Sequence, residues 1–185
     1  MTKHVIDPES ASKLQDVSRY RYLSRDELLA SLDPDPEATV IDLGSGTGFY
    51  TRDVAPWVGF VYAVDLQPAM HEAFAENGVP ENVELVTAGV SDLPLDDDAV
   101  DAAVSTMTFH EFVGEAALSE LRRVMAPGAR LVVVDWSADG RGERGPPLDG
   151  RYGPGGASDR LEAAGFEAER VEGRLETFVV TAVSP

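Results

Sequence analysis

Short apolar runs alternate with amphipathic stretches along most of the chain. The runs are ATVIDL (38–43), FVYAVD (60–65), NVELVTA (82–88), VDAAVST (100–106) and ARLVVVDW (129–136). Each has the length of a strand and is apolar almost throughout, as strands covered on both faces of a parallel sheet are. FYTRDVAPWV, QPAMHEAFAENG and EFVGEAALSELRRVM lie between them and each reads as helix. In the second, proline falls in the first turn, where its missing N–H is not needed. Further on, SDRLEAAGF predicts a short helix closed by Gly165. EAERVEG and LETFVVTAV then predict two strands joined tightly and running antiparallel. The pattern adds up to seven strands in one α/β domain spanning residues 1–185.

Two segments break this rhythm. In residues 9–32, Leu14, Val17, Tyr20 or Arg21, Leu28 and Leu32 recur at helical intervals, predicting one or two helices, the second capped by Ser24 with Glu27. Residues 1–37 are thus expected to form a helical cap, ended by the breaker DPDPEA. Residues 137–157, SADGRGERGPPLDGRYGPGGA, carry seven glycines and three prolines and are expected to be irregular. A connection of that length is usually a functional lid or disordered. It follows the fifth strand's C-terminal end, where open parallel sheets bind ligands.

Composition narrows the classes of function. With 185 residues, 43% of them hydrophobic, the chain can bury a core without staples. It has no cysteine, which removes disulfides, thiolate metal sites and cysteine nucleophiles. Asp and Glu number 33 against 15 Lys and Arg, a formal charge of −18, and the only lysines are Lys3 and Lys13. Such a chain repels nucleic acid and anionic membranes, and its balance resembles the proteome style of salt-loving organisms, so a halophilic source is expected. The start MTKHVIDPES lacks the apolar core of a secretory signal, and no apolar run is long enough to cross a bilayer. The expectation is a cytoplasmic protein, monomer or homodimer, without nucleic-acid partners or membrane insertion. Asp96–Asp98 read as a solvated turn, and His4 and His71 show no ligand spacing, so no metal is expected.

The candidate chemistry starts at VIDLGSGTGFYT (40–51), where Gly44, Gly46 and Gly48 follow an apolar run. A strand, then glycines, then a helix start keeps backbone bare and N–H groups open for a nucleotide-like ligand. A dinucleotide fingerprint needs G-x-G-x-x-G, but its third glycine position is Phe49 here, which argues against NAD. Asp65 ends the second run, 21 positions after Gly44, and a carboxylate there can accept from both ribose hydroxyls. Asp92, after the third run, can accept from an adenine amine, with Leu93 as an apolar neighbour.

VIDLGSGTG, AVDLQPAM, AGVSDLPLDDDAVDAAVSTMTFHEF and LRRVMAPGARLVVVDW, in that order, resemble the class I S-adenosylmethionine-dependent methyltransferases. The small-molecule branch, similar to ubiquinone and menaquinone biosynthesis methyltransferases (methyltransferase type 11-like), resembles the chain most. The resemblance implies a Rossmann-like seven-stranded sheet of order 3-2-1-4-5-7-6, its last strand antiparallel, with helices on both faces. It implies S-adenosyl-L-methionine as cofactor and a small-molecule acceptor. By position, Asp42, Gly44 and Gly46 would line the methionine part. Asp65 would hold the ribose, with Leu66 beside the adenine. Asp92 and Leu93 would grip the adenine, and Thr106 with Met107 would close the floor. Ser45 stands where the family often has cysteine or alanine. Tyr20 and Tyr22 either fold over the cofactor, as the family's N-terminal helices often do, or one packs while the other is solvated.

A methyl group on a sulfonium is already activated, so alignment is the protein's main task. A general base is needed only if the acceptor must lose a proton. His110, after the fourth strand, is the candidate catalytic base, with Glu111 as its neighbour. Arg141, Arg144, Arg151 and Tyr152 are either anion-recognising groups or surface side chains of the long loop. A SAM-binding protein without catalysis and an NAD-dependent oxidoreductase are the alternative functions.

Overall fold

The computed structural model describes residues 13–185, so the readings on Lys3, His4 and the first part of segment 9–32 lie outside the described residues. The strands are β1 (Thr39–Leu43), β2 (Phe60–Asp65), β3 (Val83–Thr87), β4 (Val100–Thr106), β5 (Met125–Trp136), β6 (Glu167–Gly173) and β7 (Thr177–Val183). The helices are α1 (Arg25–Leu32), α2 (Thr51–Val54), α3 (Pro68–Glu76), α4 (Phe109–Phe112), α5 (Glu115–Val124) and α6 (Pro154–Ala163). The strands form one seven-stranded sheet of order β3-β2-β1-β4-β5-β7-β6, the order the resemblance implied. β1 to β5 pair in parallel, and β7 runs antiparallel to both β5 and β6.

Alternation along the strands shows why the runs read as apolar throughout. Leu131 and Val133 of β5 join Ile41 and Leu43 of β1 in a core under Leu118 and Leu121 of α5. Val132 and Val134 point the other way, joining Val40, Val61 and, from α1, Leu28 and Leu32. Successive residues of a strand face opposite sides, so a sheet covered twice leaves no polar face to alternate with.

Four elements differ from expectation. β5 begins at Met125, because the pairing jumps from Val100–Met125 to Ala102–Arg130, an irregularity that takes up Pro127 and Gly128. The helix expected over 111–125 is two helices, broken where Gly114 is extended at the start of α5. α6 starts at Pro154, inside the segment expected to be irregular, since proline suits a first helical turn. Before α1, residues Val17–Arg21 form a 3-10 turn that leaves Val17 72% exposed and turns Tyr20 inward, its hydroxyl donating to Asp53 at 2.9 Å.

The rest of the glycine-rich connection is anchored. Arg151 is buried, and its Nε donates to the Pro146 carbonyl at 2.8 Å, with further bonds to the Ser137 and Arg144 carbonyls. Glu176, 3.9 Å from that guanidinium, accepts from the amides of Arg141 (3.1 Å) and Gly142 (3.2 Å). Arg151 is therefore part of the loop's framework, neither surface charge nor a ligand group.

At α1, Ser24 Oγ accepts from the Glu27 amide at 3.2 Å, while the Glu27 carboxylate pairs with Arg174 rather than returning to the cap. Ser24→Ala should cost about 1 kcal/mol. That corresponds to a fall of roughly 2–4 °C in the midpoint of thermal unfolding, and an unchanged midpoint would show the cap contributes nothing. Among the described residues, no helix is long and apolar enough to cross a membrane.

Candidate functional site

The C-terminal ends of β1, β2 and β4 surround a narrow cleft of about 110 Å³. After β1 the chain turns through Gly44, Gly46 and Gly48, all at positive φ (77°, 54° and 77°), where a side chain would be strained. A Cβ on Gly44 would come within 2.5 Å of Thr108, and one on Gly48 within 2.2 Å of the Phe74 ring. Gly46 has only a Leu14 methyl nearby, at 3.6 Å.

Sequence reasoning expected open N–H groups in this turn, and the structure differs. The Gly44 and Ser45 amides donate to the Val64 carbonyl (2.8 and 2.9 Å) and the Gly48 amide to the Ser45 carbonyl (2.9 Å). The Gly46 amide donates to Asp65 Oδ2 at 2.9 Å. The turn thus presents bare Cα atoms to a ligand, and these four amides make no cradle for a pyrophosphate.

Asp65 closes β2 and lines the cleft. Its Oδ1 accepts from the Gln67 amide at 2.9 Å, so both oxygens are held in place while each keeps a second lone pair. Asp42 lies buried behind the turn. Its Oδ2 accepts from Thr51 Oγ1 at 2.6 Å, and its Oδ1 has no partner among the described residues. Burial pushes Asp42 up to about 6, helped by the charge of Asp65 and opposed by the Thr51 hydrogen bond and Arg19. Ser45 Oγ, also buried, likewise has no partner among the described residues.

Of the residues singled out in the sequence, Gly44, Ser45, Gly46, Asp65, Leu66, Thr106 and Met107 meet at this cleft. Asp92 is exposed on the turn beyond Gly89 and does not line it. Leu93 packs in the core, its amide donating to Glu120 at 2.9 Å. Tyr20 packs on Phe49 (ring centroids 4.9 Å apart), and Tyr22 lies against Trp136 at 4.9 Å, facing a neighbouring groove. Phe49, Gly89, Val90 and Thr108 line the cleft without having been singled out as ligand-facing. Asp97 pairs with Arg123 at 2.7 Å and Asp98 has φ +54°, as residues of a turn do.

The neighbouring groove, about 360 Å³, shares Leu14, Arg19, Met107 and Glu111 with the cleft. His110 lines it from α4. The imidazole Nδ1 is 3.0 and 2.9 Å from the two oxygens of Asp135, a residue 1% exposed at the end of β5. Asp135 also accepts from the amides of His110 and Trp136, both at 2.7 Å. His110 Nε2 is 3.8 Å from Glu111. Burial alone would lower the imidazole's pKa, but hydrogen bonding and charge from Asp135, with Glu111 adding, outweigh it and raise it. Sequence reasoning missed Asp135, although a carboxylate within the apolar run LVVVDW was a signal.

A seven-stranded sheet with an antiparallel β7 and a glycine turn closing on an acidic residue of β2 defines a methyltransferase-type Rossmann-like fold. The chain belongs to the methyltransferase-domain family, whose model matches residues 41–133. It is 36% identical over 107 residues to the demethylmenaquinone methyltransferase of Corynebacterium kroppenstedtii, covering 57% of this chain and 45% of that protein. It is 32% identical over 110 residues to a ubiquinone/menaquinone biosynthesis C-methyltransferase of Vibrio campbellii, covering 55% of this chain and 42% of that one. The chain thus spans less than half the length of these two relatives. A SAM-dependent methyltransferase from Aquifex aeolicus matches in structure with a TM-score of 0.90 and 33% identity, covering 98% of this chain and 100% of that one.

Proposed function

We propose that the cleft binds S-adenosyl-L-methionine and that the protein transfers its methyl group to a small-molecule acceptor. The observation that carries this reading is the glycine turn with its amides engaged and Asp65 at its edge, which suits a nucleoside and lacks a pyrophosphate cradle. The residues present fit this cofactor: Asp42 Oδ1 and Ser45 Oγ, buried without a partner among the described residues, are polar atoms for its amino-acid end. When bound, it supplies a methyl group on a positively charged sulfur, which leaves as a neutral thioether.

In this reading Asp42, Gly44, Ser45 and Gly46 bind the methionine portion, and Asp65 accepts from the ribose hydroxyls. Leu66 lies beside the adenine with Gly89 and Val90, which line the cleft where Leu93 does not. Asp92, exposed and outside the cleft's lining, takes no part in it, and Thr106 with Met107 closes the floor. Tyr22 covers the neighbouring groove. The names of the sequence relatives support a small acceptor, as does a groove of about 360 Å³ in an acidic chain. Calorimetry with S-adenosylhomocysteine and with NAD tests the reading. S-adenosylhomocysteine should bind and NAD should not; tight NAD binding with no response to S-adenosylhomocysteine would overturn it.

A further inference from the structure

Three observations in the groove go beyond a methyl donor site. The first is the His110–Asp135 pair. A carboxylate that accepts from two backbone amides and from Nδ1 fixes the ring's orientation and its tautomer, leaving Nε2 as the imidazole's proton acceptor. Asp135 also anchors the start of α4 through the His110 amide. The backbone bond needs only one oxygen and no imidazole, so it does not account for the pairing with Nδ1.

The second is charge. Lys13, Arg19 and Arg144 line the groove against Asp16 and Glu111, a local cationic excess in a chain of net charge −18. Among the described residues, no carboxylate forms an ion pair with Arg19 or Arg144, and the Arg19 guanidinium instead lies 5.2 Å from the Phe49 ring centre and 5.1 Å from that of Tyr50. The third is shape. The aromatic rings of Tyr22 and Trp136, centroids 4.9 Å apart, line the groove, and Gly145 packs against the indole, where a Cβ would be 2.5 Å from it. Aromatic rings beside guanidinium groups that form no ion pair among the described residues, Arg19 donating instead to the Leu14 carbonyl at 2.9 Å, suit a planar anion.

We propose that this groove is the acceptor compartment and takes a planar, anionic compound with an acidic phenolic or enolic hydroxyl, whose proton passes to His110 Nε2, with Asp135 as the positioning residue. The proposal rests on the reading of the cleft as the cofactor site. In the step, the acceptor's O–H bond breaks, its electron pair stays on oxygen, and the proton forms an N–H bond on Nε2. The resulting imidazolium faces Asp135 from β5 and Glu111 from its own helix, which stabilise it. Arg151 from the loop opposes it, and Lys13, Arg19 and Arg144 face the anion. Acceptors that need no deprotonation, such as neutral amines, gain nothing from the pair.

The test uses 4-hydroxy-3-nitrobenzoate, a nitrophenol carrying a carboxylate, whose phenolate is visible by absorbance. The probe is titrated into the full chain with S-adenosylhomocysteine present, over roughly pH 5 to pH 9. Bound probe should ionise about one pH unit or more below its value in solution. His110→Gln should remove that shift while binding S-adenosylhomocysteine as the unmodified protein does. Asp135→Asn should move the apparent ionisation back up, and Arg144→Gln should weaken probe binding severalfold without altering the shift. A protein that binds S-adenosylhomocysteine but not the probe overturns the acceptor class. A shift that survives in His110→Gln assigns it to the cations and overturns the proton acceptor. Failure to bind S-adenosylhomocysteine overturns instead the reading of the cleft.

Discussion

Asp65→Ala is expected to raise the dissociation constant for S-adenosylhomocysteine at least tenfold while the ligand-free protein stays folded. The carboxylate is held by the Gly46 and Gln67 amides at 2.9 Å each, so it reaches the cleft already oriented. Charge-assisted hydrogen bonds to a ribose are worth about 1.5–3 kcal/mol, and 1.4 kcal/mol is already a factor of ten in affinity. The fold should survive because the amides released lie in partly buried positions where water replaces the carboxylate. Removing Asp65 also takes away a charge that disfavours ionised Asp42, a small compensation. Calorimetry gives the affinity and thermal unfolding the control. Unchanged affinity in a folded variant would show that the end of β2 does not hold the ribose.

Much of this site was legible because it follows the chain locally. FVYAVD and VDAAVST are strands over the residues read as such, since apolar runs of that length leave a doubly covered sheet no other register. The glycine turn follows β1 directly, and Asp65 follows β2 in the same way, so spacing along the sequence brought both to one end of the sheet. What was illegible depends on pairing across the fold. His110 and Asp135 are 25 positions apart and meet because β4 and β5 are parallel neighbours whose ends lie side by side. Arg151 looked like one more charge in a glycine-rich loop, and only the carbonyls of Ser137, Arg144 and Pro146 converging on it make it a buried anchor. Arg19 stood in a segment whose helical spacing failed, because the 3-10 turn rotates that side chain onto Phe49 and Tyr50. Asp92 shows the opposite limit: its position along the chain suited adenine, yet the turn after Gly89 leaves it exposed.

Asp42→Asn, behind the glycine turn, should change markedly how stability depends on pH. Burial raises this carboxyl from an ordinary 3.8 to about 6, so between those values the folded chain keeps a proton that the unfolded chain has lost. Stability therefore falls as pH rises through that window, and the loss is complete above the folded value. The shift corresponds to a contribution of about 3 kcal/mol, present below pH 3.8 and absent at neutral pH. Asparagine stays neutral throughout. Its oxygen can still accept from Thr51, while its NH₂ meets the position where Oδ1 has no partner among the described residues. That mismatch adds a penalty that does not vary with pH. The difference in unfolding free energy between variant and parent should thus move in the variant's favour by up to about 3 kcal/mol as pH rises from roughly 4 to 7, whatever its starting value. Urea unfolding of both proteins across that range measures it, and carboxylates not coupled to Asp42 cancel in the comparison. A difference that does not change with pH would mean that folding leaves the Asp42 carboxyl's affinity for a proton unchanged, and would overturn the upward shift. The same variant should bind S-adenosylhomocysteine more weakly than the parent. A protein that gains stability at neutral pH as it loses ligand would show what the buried charge is kept for.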